Sequence, residues 1–264
     1  MSIIDLGHAQ LNTRIDGEEG APWIVLSNSL GSSLHMWDDQ MPLLTRKYRV
    51  LRYDKRGHGG SSTPKGPYSF AELGDDAVGL MDHFGIEQAD WMGLSMGAMT
   101  GMGLALTHPN RFARMVLADG RADMPDATQS MWDQRIATIR DGGLEAIVDG
   151  TLAMWLTQAW RDANPDRVAN IRRMVTGNDP EGYIACCEAL KKLDYLRYLG
   201  EINLPVLYVV GSDDMGAPPT VMREMADVTP RAEFVEIPDA GHVANINSPA
   251  KYNAAIAQFL GIVQ

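Results

Sequence analysis

Basic side chains are scarce in this chain: 23 lysines and arginines stand against 34 aspartates and glutamates, giving a formal charge of -11 and an isoelectric point near 4.9. Nucleic acid and anionic membrane are repelled by such a surface, so neither is expected as a partner, and an anionic small molecule would need a local cation to hold it. Cysteine is scarcer still. Cys186 and Cys187 are the only two, and as sequence neighbours they are poorly placed to clip distant loops together. This argues against a disulfide framework and for a reducing cytoplasm, with the pair packing a helix as soft side chains. No apolar stretch approaches the length of a membrane span, and Met1-Ser2-Ile3-Ile4-Asp5 lacks the basic flank and long apolar run of a signal peptide. The six histidines are scattered and no carboxylate–histidine group has ligand spacing, so neither a metal nor another cofactor is expected.

What is present suffices for a large core, since 45% of the 264 residues are hydrophobic. Residues 3–15 alternate loosely about polar turn candidates at 7–10 and read as an opening hairpin. The runs 23–26, 48–53, 90–94, 114–118, 206–210 and 232–237 read as strands. Helices are predicted over 38–47, 70–84, 96–107, 220–228 and 250–260. Strand and helix alternate in units the size of parallel crossovers, which predicts a mostly parallel, eight-stranded, doubly wound sheet flanked by helices. The rhythm stops between 122 and 198, where helical blocks near 130–140, 144–156, 167–175 and 182–193 replace it. Asn164-Pro165 and Asp179-Pro180 each place a capping side chain before a proline at the first helical position. The layout divides into a core over 1–121, an inserted helical lid over 122–198 and the rest of the core over 199–264.

The chemical centre is Gly93-Leu94-Ser95-Met96-Gly97. By itself a G-x-S-x-G match is a weak signal; here it ends an apolar run and opens a helical one, the strand-to-helix turn on which a nucleophilic serine is exposed. A serine hydroxyl needs a base to remove its proton near neutral pH, and histidine suits that task. His242, in Asp239-Ala240-Gly241-His242, follows the last strand and comes after the serine in the expected chain order. An acid that fixes the imidazole tautomer is expected after the strand 206–210, where Gly211-Ser212-Asp213-Asp214 offers two carboxylates; the G-x-x-D spacing selects Asp214. Asp119, directly after the strand 114–118, is its rival. Two backbone donors should complete the site: the N–H of Met96, and one from Asn28-Ser29-Leu30-Gly31, with Leu30 the best candidate.

With these motifs in hand, a family resemblance emerges. The stretches Leu26-Ser27-Asn28-Ser29-Leu30-Gly31, Arg52-Tyr53-Asp54-Lys55-Arg56-Gly57-His58-Gly59, Pro64-Lys65-Gly66-Pro67-Tyr68 and Gly93-Leu94-Ser95-Met96-Gly97 resemble those of 3-oxoadipate enol-lactonases, within the α/β-hydrolase family. The similarity covers nearly the whole chain, including Trp132 with Arg135 and Glu181-Gly182-Tyr183 running to Cys187-Glu188-Ala189. It implies hydrolysis of a small enol-lactone in bacterial aromatic catabolism. The chain departs from the family in having Ala98 where a second glycine usually follows, and in the charged run Asp119-Gly120-Arg121-Ala122-Asp123. New charges so close to the pocket bear on the choice of substrate.

Such a lactone carries a free carboxylate. Arg135, three residues after Trp132 on one helical face, can offer it a planar fork while the indole covers the ring. Helical spacing alone leaves open the reading in which Trp132 is core and Arg135 a surface charge. Trp155 joins them as a substrate-binding candidate, although with Trp160, Met154 and Met131 it equally suits lining or packing the lid. Asp54 and Arg56 are expected to hold their loop by mutual or backbone hydrogen bonds, and His58 to be structural. The expected chemistry is two-step acyl transfer on a small lactone or ester. A general carboxylesterase or C–C bond hydrolase is the nearest alternative, and a ligand receptor that kept the fold for binding is the most distant.

Overall fold

The computed structural model describes residues 1–263. Its sheet is built from β1 (Ser2–Asp5), β2 (Gln10–Asp16), β3 (Trp23–Ser27), β4 (Arg49–Tyr53), β5 (Ala89–Leu94), β6 (Phe112–Ala118), β7 (Val206–Gly211) and β8 (Ala232–Ile237). These eight strands lie in the order β1-β2-β4-β3-β5-β6-β7-β8. The opening hairpin pairs antiparallel and joins β4 antiparallel; every other pair is parallel. The central strands β5 and β7 are buried at every residue, as expected when helices cover both faces, whereas the edge strands β1 and β8 carry exposed positions. Strand alternation sorts the core into two layers. Ile24, Leu26, Met92, Leu94 and Val116 belong to one cluster, and Val25, Trp91, Met115 and Leu117 to the other.

The helices of the core are α1 (Met41–Leu44), α2 (Phe70–His83) and α3 (Met96–Thr107) before the insertion. Ser69 caps α2, its hydroxyl accepting the Glu72 N–H while Glu72 takes the hydroxyl proton in return. The continuous helix predicted over 38–47 does not form. A 3₁₀ turn occupies Leu34–Trp37, and α1 is confined to one turn that begins beside Pro42, because proline tolerates the first turn of a helix but not its interior.

Between β6 and β7 the chain runs through α4 (Gln129–Gly142), α5 (Glu145–Trp155), α6 (Gln158–Ala163), α7 (Pro165–Thr176) and α8 (Pro180–Leu190). The sequence reading missed α6, a six-residue helix started by the Thr157 hydroxyl, which accepts the Trp160 N–H. Asp179 caps α8 as expected, whereas Asn164 does not cap α7; its amide donates instead to the Trp160 carbonyl. The insertion leaves and returns through one bridge, Asp123 to Asp194. The third hydrophobic cluster, with Leu30, Phe70, Met96 and Met99 from the core and Ile136, Ile147, Tyr183 and Leu193 from the insertion, seats it. Beyond it, α9 (Pro219–Val228), α10 (Ala244–Asn247) and α11 (Pro249–Leu260) complete the core.

At one point insertion and core touch backbone to backbone. A Cβ on Gly182 would lie 2.3 Å from the Gly57 Cα, with no flexible side chain there to yield. Gly182→Ala is therefore expected to cost about 1–3 kcal/mol and to lower the melting temperature by several degrees. Gly150→Ala, which adds its methyl to open space on α5, should leave the melt unchanged or raise it.

Candidate active site

Ser95 stands on the turn from β5 into α3 with φ 53° and ψ -114°, a conformation that a residue with a side chain adopts only under constraint. Its N–H donates to the Ala118 carbonyl at 2.8 Å. The flanking glycines make the turn possible, since a Cβ on Gly93 would meet the Gly97 carbonyl at 2.2 Å and one on Gly97 the Ser27 carbonyl at 2.1 Å. A short connection thus aims the hydroxyl away from the sheet while α3 starts beneath it.

The three distant side chains selected from the sequence meet. His242 Nε2 lies 2.9 Å from Ser95 Oγ, and its Nδ1 lies 2.9 Å from each oxygen of Asp214. Asp214 Oδ1 also accepts the N–H groups of Gly216 at 2.7 Å and Ala217 at 3.1 Å. With Nδ1–H donating to the carboxylate, Nε2 is left to accept the serine proton. Exposures of 8%, 6% and 3% for Ser95, His242 and Asp214 remove the three groups from bulk water, which would otherwise screen their charges. Burial disfavours the imidazolium, but the charge and hydrogen bond of Asp214, with the charge of Asp119, outweigh it and raise His242 above its ordinary value. Asp213 is exposed and bonded to Ser212 within its loop.

Asp119 faces other partners. Its Oδ1 accepts the Gly211 N–H at 2.8 Å and its Oδ2 the Ala244 N–H at 3.3 Å, so it ties the strand end before Asp214 to the segment after His242. Burial, then the neighbouring Asp214 charge, hold its carboxyl well above the usual range. The new charges at Arg121 and Asp123 bond each other, so they are spent locally. Asp54 holds backbone as expected, through the Leu34 and Gly60 N–H groups. Arg56 does not pair with it; the guanidinium bonds Asp76 and Glu72 on α2.

Among the described residues the N–H groups of Leu30 and Met96 have no hydrogen-bond partner, while those on either side of Leu30 are taken. Met96 is the first residue of α3, where backbone donors lack intrahelical acceptors and the helix dipole favours negative charge. The Leu30 loop is fastened from several directions. Gly31 donates to His58 Nε2 at 2.9 Å, and its carbonyl accepts from the Asn178 amide at 2.9 Å. His58 sits well below the ordinary histidine value through burial and the Lys55 charge, which suits an acceptor nitrogen. The positive φ of Gly31, 78°, leaves the Tyr183 ring pressed where a Cβ would be.

The substrate-binding candidates separate. Arg135 is half-buried, with Nε 3.0 Å and Nη2 2.7 Å from the Tyr183 hydroxyl and Nη2 2.6 Å from Thr151 Oγ1, and its guanidinium lies over the Tyr183 ring. Among the described residues it has no carboxylate partner, unlike the more deeply buried Arg52 and Arg56. Trp132 is partly buried against the third cluster and donates to Met124 Sδ. Trp155 has its ring in the core cluster, and its carbonyl accepts the Val243 N–H at 3.2 Å, next to the candidate base. Sequence reasoning missed Lys55, Thr151, Asn178 and Asn247; the last accepts both Gly241 N–H and Thr157 N–H, linking the His242 loop to the insertion. Lys55 stands inside the 52–59 stretch but carried no role there, the other three lie outside every motif, and only the fold brings the four to the site.

Comparison with known proteins agrees with this geometry. Residues 22–249 match the family model described as the alpha/beta hydrolase fold, and the chain belongs to that family. Its fold and its relatives define it as a hydrolase. It is 35% identical over 248 residues, 93% of this chain and 91% of the relative, to 3-oxoadipate enol-lactonase 2 of Acinetobacter baylyi. Among solved structures it is similar to the enol-lactonase from Burkholderia xenovorans LB400, with a TM-score of 0.95 and 38% identity over 98% of this chain and 100% of that one. A thermophilic esterase from Thermogutta terrifontis, solved with malate bound, gives a TM-score of 0.90 at 27% identity, over 96% of this chain and 93% of that one.

Because only neutral imidazole can take the serine proton, a raised His242 value moves the acidic fall of kcat/KM above the pH of about 6.5 expected for free histidine. A pH profile checks it. Asp214→Asn should lower kcat by about 10³–10⁴-fold, and Asp119→Asn by far less, because only the first removes the acceptor that sets the tautomer.

Proposed function

We propose that this chain is a serine hydrolase of small lactones and esters that carry a carboxylate, of the enol-lactonase type. The observation that carries the reading is the unbroken chain of 2.9 Å contacts from Ser95 through His242 to Asp214; the Leu30 and Met96 amides, which have no hydrogen-bond partner among the described residues, support it. His242 Nε2 takes the hydroxyl proton as Ser95 Oγ attacks the lactone carbonyl, and the Leu30 and Met96 N–H groups receive the oxyanion. The ring C–O bond breaks, its oxygen leaves as an enol protonated by His242, and the enol relaxes to the ketone. Water, deprotonated by His242, then attacks the acyl carbon, and Ser95 Oγ departs with the returned proton.

The carboxylate preference rests on Arg135. An arginine bonded only to hydroxyls keeps an unneutralised charge, and in a protein of formal charge -11 such a charge, held on the Tyr183 that packs against Gly31, is a place for an anion. Segment 122–198 is the lid in this reading: it supplies Arg135 and Tyr183, and its Met154 and Trp155 carbonyls hold the backbone of His242 and Val243. The similarity to enol-lactonases supports the same substrate class, and the similarity to the Thermogutta terrifontis esterase favours the second reading, a general carboxylesterase.

Turnover of the enol-lactone and of a neutral lactone by wild type, Ser95→Ala and Arg135→Ala tests both. Ser95→Ala should abolish turnover of each. Arg135→Ala should lower kcat/KM about 10–100-fold on the carboxylate-bearing lactone alone, the equivalent of losing one charge-assisted hydrogen bond of roughly 1.5–3 kcal/mol. An equal effect on both lactones favours the carboxylesterase.

A further inference from the structure

Lys55 takes no part in the proton relay, yet it is buried to 3% exposure against the loop that carries Leu30. Its ammonium donates to the Asn28 carbonyl at 2.8 Å and to the Ser29 carbonyl at 2.7 Å. The Ser29 oxygen is loaded further by the Ser32 hydroxyl at 2.8 Å and the Ser32 N–H at 3.3 Å. A peptide group is one conjugated unit, so donors that draw electron density onto its oxygen leave its N–H a stronger donor. The N–H that shares this peptide is that of Leu30, which has no partner among the described residues.

We propose that Lys55 is a positioning residue for acyl transfer: its ammonium locks the 28–31 loop and, through the Ser29 carbonyl, strengthens the Leu30 N–H as a donor to the oxyanion. This rests on the hydrolase reading above. Nothing else in the site accounts for the placement, because among the described residues Lys55 forms no ion pair and bonds only these two carbonyls. A desolvated cation behind the donor also adds a fixed positive potential where negative charge develops.

The arrangement carries its own pH dependence. Burial pushes the Lys55 ammonium down to about 8, opposed by Cys186 on α8 and Asp54 in its own loop. His58, in the same loop, stays neutral here, and the buried Cys186 thiol is itself pushed up to about 12. As pH rises through the Lys55 value the ammonium loses its proton, the Ser29 carbonyl loses its charged donor, and kcat falls while His242 remains a competent base.

Hydrolysis of p-nitrophenyl acetate, corrected for the spontaneous reaction, tests this with wild type, Lys55→Met, Lys55→Arg and Ser95→Ala from neutral to alkaline pH. Circular dichroism and thermal melts establish which variants fold. Lys55→Met is expected to lose about tenfold or more in kcat with little change in KM, a part of the roughly 10²–10³-fold lost when an oxyanion donor is removed outright. It should also lose the alkaline decline. Lys55→Arg should recover most of kcat and carry the decline beyond the measured range. A folded Lys55→Met with wild-type kcat, an effect confined to KM, or a decline near pH 8 that survives in Lys55→Met overturns the proposal. Should Lys55→Met not fold, the wild-type profile decides, and a kcat that stays flat through pH 8 overturns it. Turnover by Ser95→Ala would instead refute the hydrolase reading itself.

Discussion

The site depends on a contact between backbones. Where α3 starts under the sheet, its first turn lies so near the end of β3 that Gly97 has no room for a side chain against Ser27, and Gly93 has none against that same turn. This closeness bends Ser95 into its left-handed conformation, brings the hydroxyl up beside the imidazole and leaves the Met96 amide uncovered. The Trp91 indole, bonded to the Gly97 carbonyl, braces the turn from within the core. The strain is therefore held by packing on both sides of one short peptide, and the geometry of the Ser95–His242 contact inherits its rigidity.

Around that turn, buried polar groups hold separate loops in register. Asp119 fastens the end of β7 to α10, Asn247 fastens the His242 loop to the insertion, and Asn178 fastens the insertion to the Leu30 and Gly59 segments. Each acts mainly on main-chain donors and acceptors that a loop would otherwise leave to water. The precision of the site thus comes from carboxyl and amide groups with several partners apiece, while the apolar clusters supply mass and exclude water.

Much of this was legible in the sequence. Strands covered on both faces show as short apolar runs, and β3 to β8 stand at the six runs read as strands, while β1 and β2 fall in the hairpin read around 3–15. Ser95, His242 and Asp214 were legible because each follows a strand in a fixed order, and topology delivers such residues to one edge of the sheet. The helix over 38–47 was misread because its apolar spacing hid the effect of Pro42, and α6 was too short to show a period. Lys55 and Asn178 were illegible for a deeper reason. A lysine or asparagine in a polar loop looks solvated until a segment more than a hundred residues away closes over it, α8 for Lys55 and the Gly31 and Gly59 loops for Asn178. The Arg56 pairing was missed likewise, since its partner Asp76 lies on the hidden face of α2.

The bridge between Asp123 and Asp194 has a consequence for how such a chain can change over time. A segment that departs and returns at adjacent points adds to the entropic cost of closing the sheet only slowly as it lengthens, by about 0.6 kcal/mol per doubling. The register of β6 against β7, Met115 opposite Val206 through Ala118 opposite Val209, thus sets little limit on the length of what lies between. What limits change in the segment is therefore its own grip on the site, the Met154 and Trp155 carbonyls on the His242 segment and the Asn178 amide on Gly31, rather than the pairing of the strands it leaves and rejoins.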